Sequence, residues 1–521
     1  MTAFALTSEQ LDVVQMSVGS RIYLEGAAGT GKTTAGVVRL TTMLAAGIPA
    51  DRILILTPQR TLAQPYVDAL RRPAQARGGE PSVATVGGLA RRMIDLFWPL
   101  VAEEVGFGNP DARPSFLTLE TAQYYMARVV GPLIDREGYF ESITIDRNRL
   151  YSQILDNLNK SAVVGFPPTE IAERLKGAWM GEQAQAMVYD QAQACAMAFR
   201  AYCLKHNLLD YSLQMAIFAE HLWQEPLCRN HLTASYVHLI FDNVEEDTPV
   251  AHDVIFEWLR TSESALVITD HGAGYRSFLG ADPMSARMLR DLTDVQITFS
   301  QSFVLSPAMA ALGDVLSRIL RPVAVPLDDS APAAHVRGEA ELLPVIPANL
   351  DGATVAPVEP TDVLHFGSHR FHPEMLDWVA AEVHHLVHQA GVAPGEIVVL
   401  APFLTDALRF SLAYRLEHLD VPVRSHRPSR ALRDEPATQT LLTLAALIHP
   451  SWRIVPSKYD VAYALTYAIA GLDLIRAQLL ADIVYRHHSG VPELTPFDAI
   501  RPTVQERITF TFGERYEALR A

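Results

Sequence analysis

The chain has 521 residues, 49% hydrophobic and 20% charged, and its 59 Asp and Glu outnumber 43 Lys and Arg for a formal charge of −16. That length exceeds what one hydrophobic core organises, so about two to four globular domains are expected, and the composition excludes a disordered chain. The net charge has the wrong sign for coating a polyanion by charge alone, although it leaves room for a local cleft that grips one strand by stacking and a few phosphate contacts.

Met1 to Thr7 carry no basic leader and the apolar runs are too short or interrupted to span a bilayer, so a soluble cytoplasmic protein without a membrane partner is expected. Cys195, Cys203 and Cys228 lack CxxC spacing, which argues against a disulfide framework and against a zinc or iron–sulfur site.

In chain order, Leu6-Thr7-Ser8-Glu9-Gln10 comes first; the Gln10 amide can donate and accept at once. Ser20 to Glu25 reads as a short strand and runs straight into Gly26-Ala27-Ala28-Gly29-Thr30-Gly31-Lys32-Thr33-Thr34, with a helix expected from about Lys32 to Ala46. This is a full GxxxxGK[ST] pattern in its proper strand–loop–helix setting. Glycines let successive backbone N–H groups turn onto phosphates and the helix N-terminus adds positive potential. Lys32 reaches the terminal phosphates and the Thr33 hydroxyl is suited to magnesium. ATP with Mg2+ is the expected cofactor pair.

Arg52 to Gln59 and Ser82 to Val86 read as two further strands. Between Arg52 and Arg92 stand seven arginines (Arg52, Arg60, Arg71, Arg72, Arg77, Arg91, Arg92), a candidate polyanion contact or simply a solvated helix face. Helical periodicity such as Leu117 to Met126 fills 94–200. Val237 to Phe241 is a buried strand that ends in the acidic turn Asp242-Asn243-Val244-Glu245-Glu246-Asp247-Thr248. Prolines punctuate 321–360, which reads as a linker. Beyond it, strands at Val363–Phe366, Glu396–Leu400 and Val421–Val423 alternate with helices at His372–Ala390 and Ala407–Leu419, a pattern for a parallel sheet. Thr438–Ile448 and Lys458–Tyr485 read as helical. His384 and His388 share a helix face without the acidic residue of an HExxH zinc motif, so a polar face is the better reading.

The order of these segments resembles the UvrD/Rep class of superfamily 1 DNA helicases. LTSEQ is similar to their adenine-reading Q motif, GAAGTGKTT to motif I, ILTPQRTLA to motif Ia and ATVGGLARRMI to motif Ib. LLDYSLQM is similar to the segment before motif II, FDNVEEDTP to motif II itself, ITDHGAGYRSFLGA to motif III and FSQSFVLS to motif IV.

The resemblance implies an α/β fold of two RecA-like parallel-sheet P-loop domains with helical insertions, the second domain incomplete, moving 3′-to-5′ on single-stranded DNA. It assigns 1–93 and 201–320 to the first RecA-like domain and 94–200 to its insertion. It assigns 361–450 to the start of the second domain and 451–521 to the start of the second insertion. Gln10 would read adenine, Gly26 to Thr34 would hold the phosphates, and Thr33 and Asp242 the magnesium. Lys32 and Asp242 would be catalytic, with either Glu245 or Glu246 activating water.

Several residues depart from that pattern. Asn243 replaces the family's Glu, and the segment to Asp247-Thr248 is one residue longer. An Asn can orient a water but not deprotonate it. Ala273 stands for a Gln that senses the γ-phosphate, Leu279 for an Arg, and Val304 for a second Arg. Gly87-Gly88 replace a pair expected to touch DNA. No motif V or VI precedes Ala521, which implies a fragment or functions supplied elsewhere. Two readings lead: a working helicase or translocase in DNA repair or recombination, and a degenerate subunit that binds ATP or DNA beside other repair proteins without unwinding. A P-loop ATPase or kinase unrelated to DNA is the third.

Overall fold

A computed structural model describes residues 6–71, 79–181, 186–302, 304–320, 346–347, 363–425, 435–452, 454–488 and 491–521. Two units divide the chain, Met1–His365 and Phe366–Ala521.

The first unit is organised by six strands: β1 (Arg21–Gly26), β2 (Ile53–Leu56), β3 (Ser82–Ala84), β4 (His238–Phe241), β5 (Ser264–Asp270) and β6 (Val295–Phe299). They pair in parallel in the order β3-β2-β4-β5-β1-β6. A parallel sheet is covered on both faces, which is why β2 and β4 are buried at every residue. Alternation along each strand sorts side chains into two cores. Ile22, Leu24, Ile53, Ile55, Ile240, Leu266 and Ile268 face one core, shared with α1 (Ser8–Gln15), α2 (Lys32–Ala45) and α3 (Gln64–Leu70). Tyr23, Leu54, Leu56, Leu239, Phe241, Ala265 and Val267 face the other.

That second core continues into helices inserted between β3 and β4, chiefly α4 (Val86–Val105), Leu119–Glu137, Arg147–Val164 and Met187–Lys205. The boundary expected at 93/94 falls inside the continuous α4, so sheet and insertion share one hydrophobic cluster. The three cysteines are buried and free. Parallel strands place all their C-terminal ends on one sheet edge, and the segments after β1, β2, β4, β5 and β6 gather there.

In the second unit, helices His372–His388 and Asp406–His418 bury Ala380, Val383, Leu416 and Val421. The three strands expected around them do not form: 363–366, 396–400 and 421–423 have no sheet pairing among the described residues, and Val398 and Leu400 are 74% and 88% exposed. Apolar β-branched runs mark a strand only where a neighbouring strand exists to accept the backbone hydrogen bonds. A second core joins Lys458–Ala468, Leu474–Val484 and the helices Pro502–Ile508 and Phe510–Arg520, with a short antiparallel pair, Tyr485–His488 against Val491–Leu494. The helix expected over Lys458–Tyr485 is thus two, interrupted where Gly471 takes φ +81°. Leu447 of helix Pro436–Ile448 packs on this core, so that helix belongs with the residues beyond 450. The His384 and His388 rings meet at a tilt of 44° with centroids 4.6 Å apart. The expected linker 321–360 lies outside the described residues except Ile346 and Pro347, which pair with Gln301 and Ser302.

Among the described residues no helix is long and apolar enough to cross a membrane.

Candidate active site

β1 delivers the phosphate loop to the sheet edge. Gly29 and Gly31 take φ +79° and +81°, values a side chain disfavours, and the Cβ of any other residue at Gly26 would stand 2.7 Å from the Phe299 carbonyl oxygen. The loop is tied internally: the Thr30 hydroxyl donates to the Ala27 carbonyl at 2.8 Å, and Lys32 Nζ donates to the same oxygen at 2.6 Å. Lys32 also pairs with Asp270 Oδ1 at 2.5 Å and is 95% buried as a side chain. Ala28 and Gly29 at the crest are exposed, Thr33 is half-buried and Thr34 exposed.

Gln10 lies beside the loop, 5% exposed. Its carbonyl oxygen accepts from the Thr7 backbone N–H at 3.1 Å, completing a capping box at the start of α1, and its amide nitrogen donates to the Thr30 carbonyl at 3.3 Å. One N–H and one lone pair of the carboxamide are left for a ligand.

β4 delivers the acidic turn. Asp242 is buried; Tyr66 Oη donates to its Oδ2 at 2.8 Å, and its Oδ1 accepts no hydrogen bond from the described residues. Burial raises the Asp242 pKa, and the Tyr66 phenol, with the nearby Thr33 hydroxyl, opposes that rise. Asn243 adopts the left-handed conformation, φ 60° and ψ 44°, which Asn tolerates better than Glu. Beyond it, Val244–Glu246 closes into a single 3-10 turn. His252, held neutral-leaning by burial, bonds the Val244 carbonyl at 2.7 Å from the following helix.

The two glutamates diverge. Glu245 is 2% exposed, and its Oε2 accepts from the Asp270 backbone N–H at 3.0 Å, beside the carboxylate that pairs with Lys32. Burial first, then the charge of Asp270, push Glu245 up to about 7. Glu246 turns to the loop after β5 and accepts from the Gly274 backbone N–H at 3.0 Å. Asp247 is raised to about 6 by burial, opposed by the Thr248 N–H and the charge of Arg276.

The residues expected as motifs III and IV lie in the loops after β5 and β6. Ala273 sits between Gly272 and Gly274, both at positive φ. Val304 lies over the phosphate loop: a Cβ added to Gly29 would run into its Cγ2, while Ser302 Oγ donates to the Gly29 carbonyl at 3.1 Å. An apolar group therefore stands where a cation was expected. Arg276 instead reaches Gln59 in the loop after β2, whose carboxamide oxygen in its satisfied orientation accepts from the guanidinium at 2.6 Å.

Thr33, Asp242, Glu245 and Asp270 thus converge on the space before the phosphate loop, with Lys32 the cation among them. A buried carboxylate oxygen without a donor, next to a threonine hydroxyl, fits a hard divalent cation such as Mg2+. Asp270 was legible in the sequence, since it lies within the motif III segment; Tyr66 carried no signal at all.

Of the seven arginines, Arg91 lies over the Phe116 ring at 4.4 Å, Arg92 donates to Ser82 at 3.2 Å and Arg71 pairs with Asp68 at 3.3 Å. Arg72 and Arg77 lie outside the described residues. On the loop after β5, Tyr275 and Phe278 are 72% and 71% exposed. Gly87 packs against Tyr211, and its carbonyl accepts from Gln214 at 2.7 Å.

The family model for the UvrD/REP helicase N-terminal domain matches residues 6–288. None of the curated proteins matches the chain. Val304 lies beyond the matched residues, so its assignment rests on its place over Gly29. The match takes in Gln10, the phosphate loop, the acidic turn and the loop after β5, together with the six-stranded sheet up to β5, and spans more than half of the chain: it belongs to the UvrD/REP helicase family.

Proposed function

We propose that the chain is an ATP-driven translocase or helicase acting on single-stranded DNA, with Glu245 as the carboxylate that activates water. The observation that carries this reading is the placement of Glu245: it is buried, accepts from the backbone N–H of Asp270, whose side chain pairs with Lys32, and has a pKa pushed up to about 7, where a general base is most effective. Glu246, bonded to Gly274, is left out of that role.

In this reading the backbone of Gly26 to Thr34 and the Lys32 ammonium hold the phosphates, Gln10 meets the adenine edge, and Thr33 and Asp242 are the protein ligands of magnesium. The ion would neutralise charge between the terminal phosphates. Tyr275 and Phe278 offer exposed faces on which bases stack, which suits an acidic protein that binds one strand without a broad basic surface. The 3′-to-5′ direction and a role in repair or recombination with other repair proteins follow from the resemblance alone, and a cytoplasmic location from the sequence expectation of no leader and no spanning segment. The assignment of 361–450 and 451–521 to a second ATP-gripping domain and its insertion also follows from the resemblance.

ATP hydrolysis measured with and without single-stranded DNA tests the proposal. Stimulated turnover in wild type that falls by about 10²-fold or more in Lys32→Ala supports it; unstimulated turnover at the same level in both overturns it. The degenerate-subunit reading is favoured by Val304 and Ala273, which bring neither charge nor amide to the phosphates. Tight nucleotide binding with turnover no faster than in water would decide for it.

A further inference from the structure

We propose that Tyr66 is a positioning residue for Asp242, its phenol holding one carboxylate oxygen so that the other is presented beside Thr33 to Mg2+. The inference rests on the magnesium–nucleotide reading of the site.

Three elements converge on this bond. Tyr66 is carried by α3, has no exposed surface and packs in the core shared with Ile240 and Ile268. Its hydroxyl crosses α2 at Gly36, where any Cβ would collide with the phenol oxygen. It then donates to Asp242 Oδ2 at 2.8 Å across 176 residues of sequence. The Asp242 backbone is fixed as well, its N–H donating to the Leu56 carbonyl at 3.0 Å.

A carboxylate on two side-chain torsions has a broad, roughly two-fold terminal rotation, and one directed donor removes that freedom. With Oδ2 occupied, Oδ1 is the oxygen left without a donor. An ordinary buried tyrosine would need only some acceptor, and a backbone carbonyl would serve. Here the acceptor is the one carboxylate at the sheet edge that needs a fixed free oxygen, and a glycine clears the path to it. A metal ligand depends on such supporting bonds for its orientation.

Titration of a fluorescent ATP analogue, first in EDTA and then against Mg2+, tests the inference through binding alone. Wild type should bind more tightly as Mg2+ is added. Tyr66→Phe, which keeps the ring and removes the donor, should retain its EDTA affinity within about twofold and need about tenfold more Mg2+ for half-saturation, since a hydrogen bond to a charged group is lost. Tyr66→Met, also without a donor, should behave alike and replaces the Phe variant if that one does not fold. In an Asp242→Asn background, removing the phenol should cause no further change in Mg2+ dependence.

An unchanged Mg2+ midpoint in Tyr66→Phe overturns the inference. Equal loss of affinity with and without Mg2+ also overturns it, because the role would then be only structural. If wild type gains nothing from Mg2+, the metal reading of Thr33 and Asp242 fails and takes the inference with it. If Lys32→Ala binds as wild type does, the nucleotide reading itself fails.

Discussion

The phosphate loop and the acidic turn lie at the same edge of one sheet, yet they keep the family's chemistry to different degrees. In the loop every binding group is contiguous in sequence, and two glycines at positive φ set its shape. In the turn, the chain passes through the left-handed Asn243 and Glu245 meets the strand end at Asp270, while Val304 and Ala273 bring neither an arginine nor a glutamine. A phosphate cradle depends on local backbone geometry, and that geometry is present in the loop. Hydrolysis depends on groups from separate strands, and there a lost side chain is replaced only if another segment reaches the same space.

The strongest way to break this comparison is Glu245→Gln. Loss of a general base should lower ATP turnover by about 10²- to 10⁴-fold with nucleotide affinity nearly unchanged, whereas Glu246→Gln should stay within about threefold. Equal effects of the two would show that the turn does not separate them. In wild type, turnover at low ATP should rise with pH through about 7 as Glu245 ionises. Stability runs the other way. A carboxyl whose folded pKa lies above its unfolded value contributes stability that is fully present below about 4.5 and lost as pH rises through about 7. Denaturant melts at about pH 5 and pH 8 should therefore show wild type losing on the order of 2–3 kcal/mol relative to Glu245→Gln. A constant difference would remove Glu245 from its buried place.

Val304→Arg sharpens the same contrast by restoring a cation over Gly29. An arginine on the terminal phosphate stabilises the charge of phosphoryl transfer, and even a poorly supported one should raise turnover by about tenfold. No gain, with binding intact, would mean that the geometry at Gly29 no longer serves the transition state.

The smallest effect belongs to Asn243→Glu. It returns the family residue to a left-handed position, so it should cost about 1 kcal/mol of stability and bring no increase in turnover. Asn243→Gly should be close to neutral. A rise in turnover with Glu would show that position 243 can still serve the attacking water.

Much of the first unit was legible along the chain. The strands Ile53–Leu56 and His238–Phe241 announced themselves as apolar runs, and the loop Gly26 to Thr34 as a complete pattern, because each is specified by residues within one turn or strand. The second unit was harder. Val398 and Leu400 have strand-forming side chains, but strand formation needs a partner, and none is present among the described residues. The break at Gly471 was also hidden, since helical periodicity continues on both sides of it.

For the site, the sequence by itself determined which groups can hold phosphates: glycines, Lys32 and Thr33 at fixed spacing shape a backbone cradle whatever lies around it. It also showed that the turn had lost its usual glutamate. Only the tertiary structure separated the surroundings of Glu245 and Glu246, the first bonded to the Asp270 N–H and the second to the Gly274 N–H, because strand order and loop path set which backbone each side chain meets. The fold likewise brought Asp270 to Lys32 and Tyr66 to Asp242. Those pairs join strand ends and helices far apart in the chain, and nothing short of sheet order and helix packing specifies their distance.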